Sequence, residues 1–207
     1  MSRGQCPLLG LLLLALLLAP AGCSSGPPAP AAAATPTSAP QLEGLVVRSV
    51  PSGLPRMPDA RLRPPAGAKS ARDVAGYAGD PVREQKVLAD YGYRFGWERF
   101  WGDGNGRQTS VFLDQFRHAA GARRYADDLA RNDAAHYRAR WHAGSGGLPA
   151  GCRLLTSDDA TLPGPAAFAW CAHGVFALAV TAVSDSAQHA RGEVGAVVRA
   201  QLARLPG

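Results

Sequence analysis

The chain has 207 residues and a formal net charge of +6, and nearly all of its positive charge is arginine, since Lys69 and Lys86 are its only lysines. No internal repeat is visible. The part that can fold is one domain's worth of chain around a single hydrophobic core.

The first element is an apolar run from Leu8 to Leu18, behind a start whose one charged side chain is Arg3. A helix that crosses a bilayer needs roughly 20 apolar residues, so this run is too short to span. A charged start, a short apolar core and small residues after it describe an export signal over residues 1–22. Two cleavage readings fit. Ala19-Pro20-Ala21 has the small-x-small form of ordinary secretion, which would release a soluble protein cleaved after Ala21. Ala21-Gly22-Cys23 resembles the lipobox of bacterial lipoproteins, with Pro20 where the usual pattern has leucine. That resemblance implies a diacylglycerol on the Cys23 sulfur and cleavage that makes Cys23 the new N-terminus.

The remaining cysteines favour lipidation. Cys6 leaves with the signal, and Cys152 and Cys171 can pair in an oxidising compartment. Lipidation consumes Cys23, which plain secretion would leave as an exposed odd thiol. Each buried methylene contributes about 0.8 kcal/mol, so two or three acyl chains hold a protein durably on the outer face of the membrane. Loss of the signal removes only Arg3 and leaves +5 on the side chains. A basic protein placed there meets an envelope protein, anionic lipid heads or an anionic wall polymer. Nucleic acid is not expected in that compartment, despite "RHAAGARRY" and "HYRARW", and the arginines also read as a solvated surface.

Residues 23–43 carry the anchor and a Pro/Ala-rich tether, of which "SSGPPAPAAAATPTSAP" is the core. Such a stretch cannot bury enough apolar surface to fold, and at about 3 Å per residue it reaches on the order of 50 Å. Residues 44–207 form the folded domain. "GLVVRSV" reads as a strand, and the proline-rich segment from Pro51 to Gly67 as irregular chain. Ser70 caps a short helix, and Asp80-Pro81 starts another that ends at Gly92, with proline at the first helical position and glycine past the end. "YGYRFGWERFW" alternates, so Tyr91, Tyr93, Phe95 and Trp97 share one face of a strand. Asn105-Gly106 then turns the chain into the strand "QTSVFLDQF". A helix over 117–132 buries Ala122, Tyr125, Ala126 and Leu129. "GCRLLT" is a short strand, "AAFAWCAHGVFALAVTAV" two strands joined at His173-Gly174, and 186–205 a final helix with Val194, Val197, Val198, Leu202 and Leu205 on its buried stripe. This order predicts an α+β fold: an antiparallel sheet of about five or six strands with helices packed mainly on one face.

"YGYRFGWERFW", the strand and Ala-rich helix after it, "GLPAGCRLL" and the late hairpin resemble small lipoproteins of actinobacteria over residues 70–204. The resemblance implies a Mog1/PsbP-like sheet covered by helices. It implies no catalytic residue.

Candidate sites are few. His118, His136, His142, His173 and His189 show no metal-ligand spacing. Asp103, Asn105 and Asp114 match positions of a calcium loop, but Arg107 repels a cation and Gln108 stands where glycine is required. "GSGG" at 144–147 lacks the strand-turn-helix setting of a nucleophile elbow, and adjacent Asp158 and Asp159 point apart in extended chain. No metal and no cofactor is therefore expected.

Two places point to binding. Phe100 breaks the parity of the aromatic strand, so it or Trp101 reaches solvent. Between Asp159 and Asp185 there is no charged side chain. With regular strands, Phe168, Trp170, Phe176, Leu178 and Val180 share a bulky face, and Ala177 and Ala179 lie on a small, smooth one. That small face is either covered by other chain or an apolar docking patch. The expectation is a lipid-anchored, non-enzymatic binding or accessory module of the cell envelope. A cell-envelope hydrolase is the alternative, whose signature would be a pocket gathering His, Asp and Ser.

Overall fold

The computed structural model describes residues 34–207. The export signal, Cys23 and the tether up to residue 33 lie outside the described residues. Five helices and seven strands follow one another as α1 (Ala39–Glu43), β1 (Gly67–Lys69), α2 (Ala71–Ala75), α3 (Pro81–Tyr91), β2 (Tyr93–Gly102), β3 (Gln108–Phe116), α4 (Ala119–His136), β4 (Arg140–Trp141), β5 (Cys152–Ser157), β6 (Ala166–His173), β7 (Phe176–Val183) and α5 (Ala187–Leu202). All strands pair antiparallel in one sheet, in the order β1-β2-β3-β7-β6-β5-β4. The α+β antiparallel class is as expected. The sheet has seven strands because β1 and β4, three and two residues long, add short edges to either side.

Local signals set most helix ends. Ser70 and Asp73 form a reciprocal capping box at α2. Asp80 accepts from the Arg83 amide with Pro81 at the first helical position, and Gly92 ends α3 at φ 75, where a side chain would be strained. Ser186 caps α5 through the His189 amide.

"GLVVRSV" is not a strand, and the tether does not run to residue 43. Helix α1 buries Leu42, and the turn after it buries Val46, Val47 and Val50. Side chains satisfy the backbone here in place of a neighbouring strand. Gln201 Oε1 accepts from the Val47 amide at 2.9 Å and its Nε2 donates to the Leu45 carbonyl at 3.0 Å. Arg99 Nη1 donates to the Val47 carbonyl at 2.8 Å, and Arg204 donates to those of Leu45 and Gly44. Apolar content alone could not distinguish this strap from a strand.

Helices cover both faces of the sheet. Helices α2, α3 and α4 pack on one face around Leu88, Tyr93, Phe116 and Tyr125. Helices α1 and α5 close the other around Leu113, Leu178, Val194 and Val198. A β-bulge divides the aromatic strand between these faces. Tyr93 pairs with Phe116, yet Phe95 pairs with Gln115, so two residues of β2 oppose one of β3. Tyr93 therefore faces α4, while Phe95 and Trp97 pack on the α5 side.

The late hairpin also departs from its expected faces. Gly174, at φ 53, and Val175 form a two-residue connection, with His173 opposite Phe176. Even-numbered residues of β6 then pair with odd-numbered residues of β7. Trp170 lies beside Ala179 and Ala172 beside Ala177 on the α4 side; Ala169 lies beside Val180 and Cys171 beside Leu178 on the α5 side. Large side chains of one strand nest against small ones of its partner on both faces. No smooth alanine face exists: Ala177 is 1% and Ala179 4% exposed.

Candidate cleft between the sheet edge and the last helix

The two expected binding places do not come together. Trp101 is buried at 1% exposure on the α5 face, and Phe100 packs edge-to-face on Phe112 with ring centroids 5.4 Å apart. Ala177 and Ala179 lie in the interior, because α4 covers that face. The hairpin explains the calcium-like residues: Asp103 accepts from the Asn105 amide inside the turn, whereas Asp114 is buried in mid-strand. Among the described residues, no three His, Cys, Asp or Glu side chains gather as a metal site. Cys152 and Cys171 stand directly opposite each other on β5 and β6 and form a disulfide, with S–S 2.08 Å and Cα atoms 3.9 Å apart. Such a cross-link, 19 residues apart in sequence, restricts the unfolded chain by about 3 kcal/mol.

A cleft of about 670 Å3 opens instead where the sheet runs past α5. Helix α5 lies over β6 and β7 and turns Ala190, Val194, Val197 and Val198 into the core. The flank of that stripe, Arg191, Gly192, Gly195 and Arg199, looks along the sheet toward its β4 edge. Strands β5 and β4 supply the floor through Leu154, Thr156 and Arg140; Arg140 pairs with Thr156, which places both on the α5 face. The glycine-rich loop after β4 forms the far wall and carries His142.

The two glycines of α5 differ in the space beside them. A Cβ at Gly192 would meet nothing within 4 Å, so a side chain there would project into the cleft. The Arg199 guanidinium lies over the helix at Gly195, where a Cβ would make ordinary contact with its Nη1 at 3.4 Å and with Leu148 Cδ2 at 3.7 Å. Glycine in a helix interior costs roughly 0.5–1 kcal/mol relative to alanine. Nothing in the backbone of α5 requires it at Gly192.

The lining is cationic. Arg140, Arg191 and Arg199 have no carboxylate within ion-pair distance among the described residues. Glu193, the one acid of α5, turns away and accepts from the Ser52 amide and hydroxyl and from Thr109 Oγ1. His142 Nε2 lies 2.9 Å from Thr156 Oγ1. Partial burial, and then the Arg191 and Arg140 guanidiniums, hold the His142 imidazole below its ordinary range. At neutral pH it is an uncharged group that can donate or accept one hydrogen bond. The other described histidines lie elsewhere: His189, for example, pairs with Asp185 at 2.8 Å. From the sequence His142 showed only the lack of metal-ligand spacing, and the three arginines carried no signal as a group. The legible signal was "ARGEVGAVVR", where arginine and glycine recur along one flank of an otherwise strong helix.

No family model and no curated protein matches this chain. Among solved structures it is similar to the extracellular domain of PknH from Mycobacterium tuberculosis, at 14% identity and a TM-score of 0.49, over 83% of this chain and 99% of that one. No helix among the described residues is long and apolar enough to cross a membrane.

Proposed function

We propose that this chain is a binding module of the cell envelope, lipid-anchored at Cys23 on the outer face of the membrane, whose ligand enters the cleft beside α5. The observation that carries the reading is the cleft itself: its size falls in the range of small-molecule sites, and Gly192 keeps it open at a cost to the helix. The Cys152–Cys171 disulfide supports an oxidising compartment, and the lipobox-like Ala21-Gly22-Cys23 supports the anchor. A non-enzymatic role is favoured over hydrolysis because the His142–Thr156 pair has no carboxylate among its lining residues to orient the imidazole, the third member that activates such dyads.

Hydrogen–deuterium exchange on the full chain in neutral detergent tests this reading. The probes are a neutral peptidoglycan disaccharide, inorganic pyrophosphate and dihexanoyl-phosphatidylglycerol. At least one should slow exchange in residues 140–156 and 187–199 together. A set of probes that slows neither segment, or acts only elsewhere, overturns the cleft as the binding site. Membrane association that survives Cys23→Ser overturns the anchor.

A further inference from the structure

Resting on the reading of the cleft as a ligand site, we infer that its ligand presents a phosphoryl-type oxyanion to Arg140, Arg191 and Arg199. Three guanidiniums line one depression of about 670 Å3, and among the described residues no aspartate or glutamate does. Acids elsewhere are engaged with other partners: Glu43 with Arg99, Asp127 with Arg153, Asp128 with Arg131, Asp159 with Arg138 and Glu98 with Lys69. The three arginines of the cleft share none of these carboxylates. All three arginines are exposed at the mouth of the depression, so an anion there gains from charge-assisted hydrogen bonds to their guanidiniums.

The geometry narrows the anion. The guanidinium is a planar fork that meets phosphate oxygens with two parallel hydrogen bonds, so arginine rather than lysine suits a phosphoryl group. Arginines come from two elements, Arg140 from β4 and Arg191 and Arg199 from α5, so two walls of the cleft carry guanidiniums. A tetrahedral group with several oxygens can satisfy such an arrangement; a single planar carboxylate offers two. Thr156 and neutral His142 provide further hydrogen-bonding atoms beside the arginines without adding charge. The cleft is larger than one phosphate, and Gly192 frees space beside the cations. The ligand therefore carries its phosphoryl group on a larger body, either a soluble phosphate ester or an anionic lipid headgroup.

Calorimetric titration of the full chain in neutral detergent decides this, with inorganic pyrophosphate, dihexanoyl-phosphatidylglycerol, acetate and the neutral peptidoglycan disaccharide at matched ionic strength. A phosphoryl probe should bind more tightly than acetate. Arg191→Gln and Arg140→Gln should each weaken it roughly tenfold or more, the worth of a charge-assisted hydrogen bond. Arg72→Gln, on the opposite face, should leave it unchanged. Tighter binding of the short-chain lipid than of pyrophosphate identifies a headgroup, and the reverse identifies a soluble ester; either supports the inference. Equal binding of acetate, or phosphoryl binding indifferent to both cleft substitutions, overturns it. Binding of the neutral disaccharide alone, with protection in the cleft segments, overturns the inference while the cleft remains the binding site.

Discussion

The two faces of the sheet use the same residue type in a helix for opposite purposes. On one face, Gly121 in α4 lies so close to the end of α3 that a Cβ would overlap the Tyr91 carbonyl oxygen. On the other, Gly192 in α5 faces empty space. One glycine permits two elements to touch, and the other holds a volume open. The polar groups divide in the same way. The α4 face satisfies its buried polar groups within the protein: Lys69 with Glu98 at 3.1 Å, and Asp114 under the Tyr93 hydroxyl at 3.0 Å. The cleft beside α5 instead groups three arginines that have no carboxylate within ion-pair distance among the described residues. Buried charge satisfied within the protein belongs to the architecture, and grouped charge left facing a cavity marks where a ligand would supply the missing partner.

Matched alanine substitutions break this contrast most sharply. Gly121→Ala should destabilise the fold by about 2–3 kcal/mol, because the new methyl group meets backbone that cannot move independently of α3. Urea denaturation measures it, and an unchanged midpoint would mean that α3 and α4 are not packed at this distance.

The next effect is a pH dependence confined to the α4 face. Burial pushes the Asp114 carboxyl up to about 7, against the hydrogen bond from Tyr93 that favours its ionised form. Gly96 beside it makes the space, since a Cβ there would overlap Asp114 Oδ1. Between about pH 4, where an unfolded aspartate releases its proton, and about pH 7, the folded state holds one proton more than the unfolded state. Stability contributed by this group therefore falls as pH rises through that window. Asp114→Asn keeps an oxygen for Tyr93 and cannot ionise. It should flatten the profile and exceed the wild type at pH 8 by on the order of 1 kcal/mol. Parallel unfolding curves of the two proteins from pH 4 to pH 8 would show Asp114 to be ionised throughout.

Gly192→Ala carries the smallest stability effect and has the opposite sign to Gly121→Ala. With nothing to collide with, the methyl group should stabilise α5 by about 0.5–1 kcal/mol while narrowing the cleft. Thermal unfolding reads the gain. A loss of stability here would mean that the cleft closes over Gly192 in solution.

Much of the fold was legible because short-range chemistry fixed it. Ser70, Asp80-Pro81, Gly92 and Ser186 mark helix ends through hydrogen bonds and backbone angles reached within four residues. The disulfide was expected from the oxidising compartment that an exported chain implies, and the α4 stripe through Ala122, Tyr125 and Ala126 was legible by its period. Where the reading failed, the missing information was relational. "GLVVRSV" has the apolar content of a strand, but Gln201 and Arg204, more than 150 residues away, decide that its backbone bonds to side chains. The aromatic alternation of β2 is genuine in sequence, and one bulge reverses its meaning between Tyr93 and Phe95.

The sequence by itself determined an antiparallel α+β domain with its main helices and late strands, whose signals lie in neighbouring residues, and pointed to the Cys152–Cys171 pairing through cysteine count and compartment. Tertiary structure alone decided which side of each strand meets which helix, since a shift of one residue in register exchanges the two faces. It also decided that Ala177 and Ala179 are covered and that Arg140, His142, Thr156, Arg191 and Arg199 share a cleft. Those five side chains come from β4, the loop after it, β5 and α5, spread over 60 positions, and each is unremarkable where it stands. Only the folding of α5 across the sheet, with a glycine where it could have carried a side chain, brings them into one volume.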